Sequence, residues 1–249
     1  MISVYDRVIS TIPVLEIVLT ERQGEALPTV VFYHGWTNVK EQSLIHGYEI
    51  AKKGFRVLLP EAIYHGQRQD DKLTKEHMMD FWEIIQQNIT EFPIITDYYI
   101  KAKLSDPERL GVTGASMGGI TTCGLLTSYP AIKAGVCLMG SPNLTAFAQG
   151  TVAAIEAAGT VLPADTASQL AKLKKYDLSL NPGNLAGRPI HFWHGEEDPV
   201  VPYLETFAFY EKFKGTEAGR NLSFTRTADG HRVPYQISLE TATFFGEHL

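Results

Sequence analysis

Two cysteines in 249 residues leave no material for a disulfide framework. Cys123 and Cys137 read as small buried hydrophobes in a reducing compartment. No apolar run approaches the roughly 20 residues that a membrane-spanning helix needs. Nothing near Met1 joins a basic start to an apolar stretch of the signal-peptide kind. The expectation is therefore a cytoplasmic protein with no membrane partner. Basic residues are also in short supply, 22 Lys and Arg against 28 Asp and Glu for a formal net charge of −6, which argues against nucleic acid as a partner. Only Lys172, Lys174 and Lys175 cluster, as a solvated helix face. No Cys, His and carboxylate spacing points to a metal. The glycine-rich stretch 114–119 lacks the lysine and the spacing of a phosphate-binding loop, so no cofactor is implied.

What is present is apolar content of 44% in a chain long enough to bury a large core. Strand-like and helix-like runs alternate from Thr29 onward, the pattern of a mostly parallel sheet covered on both faces. Before that, Arg7 to Ile12 and Val14 to Leu19 read as an antiparallel edge hairpin. Residues 1–249 are taken as one domain. Asn143 to Ala158 carries apolar residues at helical spacing, and Asp165 is placed to cap a second helix running through Lys175. The stretch 143–185 is therefore expected to be a small helical cap over the carboxyl edge of the sheet, the alternative being two helices with no part in the site.

Gly114-Ala115-Ser116-Met117-Gly118-Gly119 carries the chemistry. Arg109 to Thr113 reads as a buried strand and Ile120 to Tyr129 as a helix, so Ser116 falls on a sharp strand-to-helix turn. Glycines on both sides let the two elements approach, and the serine hydroxyl stands above the sheet as a candidate nucleophile. A base and an orienting acid must then come from later strand ends. Pro189 to Trp193 reads as a strand running into His194-Gly195-Glu196-Glu197-Asp198-Pro199. Asp198 is the preferred acid over Glu196 and Glu197, because Pro199 holds its backbone in a turn. Asn221 to Thr227 reads as the last strand and Pro234 to Leu249 as the closing helix. His231 between them is the candidate base, while Asp229 is read as a turn residue. His46, His77, His191, His194 and His248 fall within helices or at strand positions and are assigned no role.

Stabilising the charge of an acyl-transfer intermediate needs two convergent donors. The amide of Met117 follows the nucleophile, and the amide of Trp36 lies in the loop His34-Gly35-Trp36 after the strand Thr29 to Tyr33. The indole of Trp36 is expected to wall the acyl site and favour short chains. Phe147 and Ile155, with Val161 and Leu162, are candidates to line the pocket from the cap.

Taken together, Phe32 to Trp36, Leu59-Pro60-Glu61-Ala62 with His65-Gly66, Gly114 to Gly119, Leu138 to Pro142, Phe192 to Gly195 with Asp198 and Val201-Pro202, and His231 resemble the small bacterial esterases of the YjfP/YitV type. These are α/β-hydrolases related to the catalytic domains of prolyl-oligopeptidase-like enzymes. The resemblance covers nearly the whole chain. It implies an α/β-hydrolase fold and hydrolysis of a small carboxylic ester through an acyl-enzyme, with Ser116, Asp198 and His231 as triad. Many relatives carry aspartate where this chain has Glu61, a position read as structural. Two alternatives stay open: a peptidase or thioesterase of the same fold, and a binding protein with an idle triad.

Overall fold

Along the strand Leu27–Tyr33, Val30 and Phe32 join one buried apolar cluster and Val31 and Tyr33 the other, as the two-residue period of a strand requires. A strand buried on both faces is a central strand. The computed structural model describes all 249 residues, Met1–Leu249, and this strand, β3, lies inside an eight-stranded sheet. The other strands are β1 (Ile2–Ile9), β2 (Ile12–Leu19), β4 (Arg56–Pro60), β5 (Ser105–Ala115), β6 (Ile132–Leu138), β7 (Ile190–Gly195) and β8 (Leu222–Thr227). The order across the sheet is β1-β2-β4-β3-β5-β6-β7-β8. β1 pairs antiparallel with β2, β2 pairs antiparallel with β4, and every other pairing is parallel.

Helices α1 (Leu44–Lys52) and α7 (Tyr235–His248) cover one face, burying Ile50, Ala51, Ile237 and Phe245 against Val30, Phe32 and Val57. Helices α2 (Phe81–Lys101), α3 (Met117–Ser128) and α6 (Tyr203–Phe213) cover the other, where Ile85, Ile89, Ile120, Leu125 and Phe209 meet Val31, Val112 and Phe192. Strand order reverses between β3 and β5. The carboxyl ends of those two strands are where an open α/β sheet opens a crevice.

The edge hairpin is present with different bounds. Its first strand is Ile2–Ile9 rather than 7–12, because the chain turns at Ser10, whose φ is +59°. β1 is largely exposed, so it carries little apolar pattern. Between β6 and β7 lie α4 (Leu144–Ala157) and α5 (Thr166–Leu173). Helix α5 starts after Asp165 as expected but ends at Leu173, short of Lys175. The Asp165 carboxylate does not cap the backbone and accepts instead from Gln169 Nε2 at 2.9 Å. No helix is long and apolar enough to cross a membrane.

Candidate active site

The turn from β5 into α3 is tight. Ser116 has φ +56° and ψ −116°, a conformation that side chains rarely adopt. It persists because its surroundings hold it: the Ser116 amide donates to the Leu138 carbonyl at 2.9 Å, tying the turn to β6. A Cβ on Gly118 would stand 1.9 Å from the Tyr33 carbonyl oxygen. Only glycine lets α3 start this close to β3.

His231, in the loop after β8, presents Nε2 at 2.8 Å from Ser116 Oγ. Its Nδ1 lies 2.7 Å from Asp198 Oδ2. The other Asp198 oxygen accepts the amides of Val200 and Val201 at 2.8 and 3.0 Å. Burial pushes the Asp198 carboxyl up, but bonds from His194, His231 and the two amides outweigh it and hold the group below the usual carboxylate range. Glycine matters once more here, since a Cβ on Gly195 would stand 2.2 Å from the Asp229 carbonyl oxygen. That contact lays the 229–230 turn on the end of β7 and carries His231 to Asp198. The His231 ring bonds to Asp198 and Ser116 and to none of the rival carboxylates: Glu196 faces Arg226 at 3.3 Å, Glu197 is exposed, and the backbone carbonyl of Asp229 takes the Glu197 amide at 3.1 Å.

The loop after β3 packs against this turn, with the position of a Gly35 Cβ only 3.6 Å from Ser116 Cβ. The Trp36 amide donates to no protein acceptor, and the Met117 amide, first in α3, likewise has none in a turn or loop. Beside Ser116 opens a cavity of about 540 Å³, within the range of roughly 300–1,000 Å³ that encloses a small organic ligand. Trp36, Phe147, Ile155 and Leu162 line it. Val161 does not; it is 91% exposed, since the link between α4 and α5 turns it outward.

Two groups of residues at the site were not read from the sequence. The segment Met78 to Glu83, entering α2, forms a whole wall of the cavity; two methionines beside Phe81 and Trp82 were the available signal. His194, assigned no role, places Nε2 3.3 Å from Asp198 Oδ2 and 3.0 Å from the Val201 carbonyl oxygen. Its spacing of four residues before Asp198 was the only hint.

A mostly parallel sheet with a serine at the strand-to-helix turn, a histidine and an aspartate at later strand ends, and a cavity beside them defines an α/β-hydrolase-fold protein. The prolyl oligopeptidase family matches residues 83–244, and the chain belongs to that family. It is 42% identical over 256 residues to a protein of Bacillus subtilis (strain 168) named "Putative esterase YitV", with each chain covered in full. It is 29% identical over 261 residues to "Esterase YjfP" of Escherichia coli (strain K12), again covering both chains in full. Among solved structures, TT1662 from Thermus thermophilus superposes with a TM-score of 0.76 at 16% identity over the whole of both chains; that likeness is one of fold.

Proposed function

We propose that this chain hydrolyses small carboxylic esters with Ser116 as nucleophile, His231 as base and Asp198 as the group that orients and supports the imidazole. The observation that carries the reading is the continuous hydrogen-bond path Asp198–His231–Ser116, opening on a cavity. Neutral His231 accepts the Ser116 proton on Nε2 as Oγ bonds to the ester carbonyl carbon. The carbonyl oxygen takes up the charge and is received by the amides of Trp36 and Met117, the second reinforced by the N-terminus of α3. His231 then passes its proton to the departing alkoxide, leaving the acyl group on Ser116. Water repeats the sequence: His231 removes its proton, hydroxide adds to the acyl carbon, and the acid leaves as Oγ regains a proton.

Helices α4 and α5 act in this reading as a cap, contributing Phe147, Ile155 and Leu162 to the substrate wall. A cytoplasmic place of action belongs to the same proposal, supported by two cysteines that are free and buried. No feature of the site favours a peptide bond over an ester.

The test is turnover of p-nitrophenyl acetate and labelling by a fluorophosphonate. Ser116→Ala is expected to lose several orders of magnitude in kcat, as triad knockouts do, and to take no label. A folded Ser116→Ala protein with wild-type turnover overturns the assignment, and a wild-type protein with neither turnover nor label supports the idle-triad alternative.

A further inference from the structure

An oxyanion hole works only if its amides are aimed before the charge develops. The Met117 amide is aimed by α3. The Trp36 amide lies in a loop whose next residue, Thr37, has φ +61°, so nothing in the local backbone preference fixes it.

Two buried histidines hold the peptide planes on either side of Trp36. His34 is 3% exposed, and its Nδ1 lies 2.9 Å from the Gly35 carbonyl oxygen. A carbonyl can only accept, so Nδ1 carries the proton. The Asn38 amide donates to the same carbonyl oxygen at 3.2 Å. In a trans peptide the carbonyl and the N–H point in opposite directions, so turning the Gly35 carbonyl away from the site turns the Trp36 N–H into it. On the far side, the Thr37 amide donates to His65 Nε2 at 3.3 Å, while His65 Nδ1 donates to the Ile63 carbonyl at 2.8 Å. His65 is fully buried, and the Trp36 indole meets its ring edge-on at 5.3 Å. His34 Nε2 lies 3.1 Å from the Ala62 amide nitrogen and 3.3 Å from Glu61 Oε1, and each ring holds a proton on Nδ1, where its partner is a carbonyl.

The histidines are themselves seated by the turn that follows β4. Glu61, 1% exposed, accepts the Lys40 amide at 3.0 Å and reaches Lys40 Nζ at 3.5 Å, and the Lys40 side chain is fully enclosed. Ala62, Ile63 and His65 lie in the turn that Glu61 starts.

We propose that His34 and His65 are positioning residues of this enzyme, a pair of imidazoles that aim the Trp36 amide by pinning the peptide planes before and after it. The proposal rests on the reading of Trp36 as an oxyanion donor. Neither ring reaches the reacting atoms, so their loss acts through the transition state and leaves ground-state binding of the ester largely in place.

The experiment uses near-isosteric pairs that separate the hydrogen bond from packing. At position 34, Asn keeps a donor for the Gly35 carbonyl and Leu has none. At position 65, Gln keeps an acceptor for the Thr37 amide and Met has no comparable one. We expect His34→Leu and His65→Met to lower kcat by about 10–100-fold, less than complete loss of an oxyanion donor, with KM within about threefold. His34→Asn and His65→Gln are expected to recover most of that loss. A trifluoromethyl ketone, which mimics the tetrahedral intermediate, should lose affinity in proportion to kcat/KM across the set. Equal kcat for Asn and Leu at 34, and for Gln and Met at 65, overturns the proposal even where thermal stability differs. A wild-type protein that turns over no ester and takes no label at Ser116 defeats the underlying reading instead, and is seen before any variant is made.

Discussion

His194 Nε2 stands 3.3 Å from Asp198 Oδ2, the same oxygen that His231 Nδ1 approaches to 2.7 Å. Two imidazoles thus converge on one carboxylate oxygen. The first turns the proton of its Nε2 to Asp198 and to the Val201 carbonyl; the second connects Asp198 to Ser116.

His194→Phe keeps the ring and removes that donor. The Asp198 carboxyl should then rise toward its ordinary value. A carboxyl held low in the folded state contributes stability that is present above its unfolded value and lost as pH falls through its folded one. In the wild type the contribution therefore survives below pH 4; in His194→Phe it is smaller and disappears at higher pH. Thermal melts from pH 3 to 7 check this, with the expectation that the gap in Tm between the two proteins is constant above about pH 5 and narrows as pH falls toward 3. Activity should fall as well, by about threefold to tenfold in kcat, because Asp198 loses one of the bonds that set its orientation. Melting curves that run parallel over the whole range would remove His194 from the account.

Acid sensitivity has a second source. Burial pushes His46, His65 and His191 down to about 4. Each is neutral in the folded protein at pH values where the unfolded chain is already protonated. The unfolded state therefore binds more protons between about pH 6.5 and pH 4, and stability falls with pH across that window. We expect a loss of about 1–2 kcal/mol per site between pH 7 and pH 5, and a drop in Tm of roughly 10 °C for the three together. His191→Gln, which retains a partner for Ser223 Oγ, should flatten the curve by the share of one site. A Tm constant from pH 7 to pH 5 contradicts the neutral state of these rings.

The cavity makes a prediction about substrate. Its charged lining residues are Asp80, Glu83 and Asp165, with no lysine or arginine among them. An acyl group ending in a carboxylate must enter against that field. The p-nitrophenyl hemisuccinate is expected to show kcat/KM about tenfold below that of the butyrate at low ionic strength, with the difference narrowing in 1 M salt. Along a neutral series, each methylene that finds apolar contact contributes up to ~0.8 kcal/mol, about fourfold in kcat/KM. Trp36→Ala keeps the backbone amide and opens one wall, so it should move the preferred chain length upward between acetate and hexanoate. An unchanged profile in Trp36→Ala would assign the acyl wall to the other lining segments, Met78 to Glu83 and the residues of α4 and α5.

Features that depend on a short stretch of chain were legible in the sequence. The elbow around Ser116 is one, because a serine flanked by glycines between a strand pattern and a helix pattern admits few backbone paths. The places of Asp198 and His231 after the last two strands are another, since a parallel sheet delivers every such loop to the same edge. The place of Trp36 in the loop after β3 followed from the same rule, and that of Met117 from its position next to Ser116. What only the tertiary structure decided are the contacts between segments far apart in sequence. The fully buried Arg56 that meets Glu16 at 2.8 Å, the wall from Met78 to Trp82, His194 against Asp198, and the two rings that hold Trp36 all belong to this class. A histidine at a strand end reads alike whether it supports a carboxylate, pins a peptide plane or fills space. Its role depends on which donors and acceptors the fold brings within 3 Å or so of its nitrogens. Periodicity reports which face a residue takes; the partner it meets there is set by the packing of the other elements.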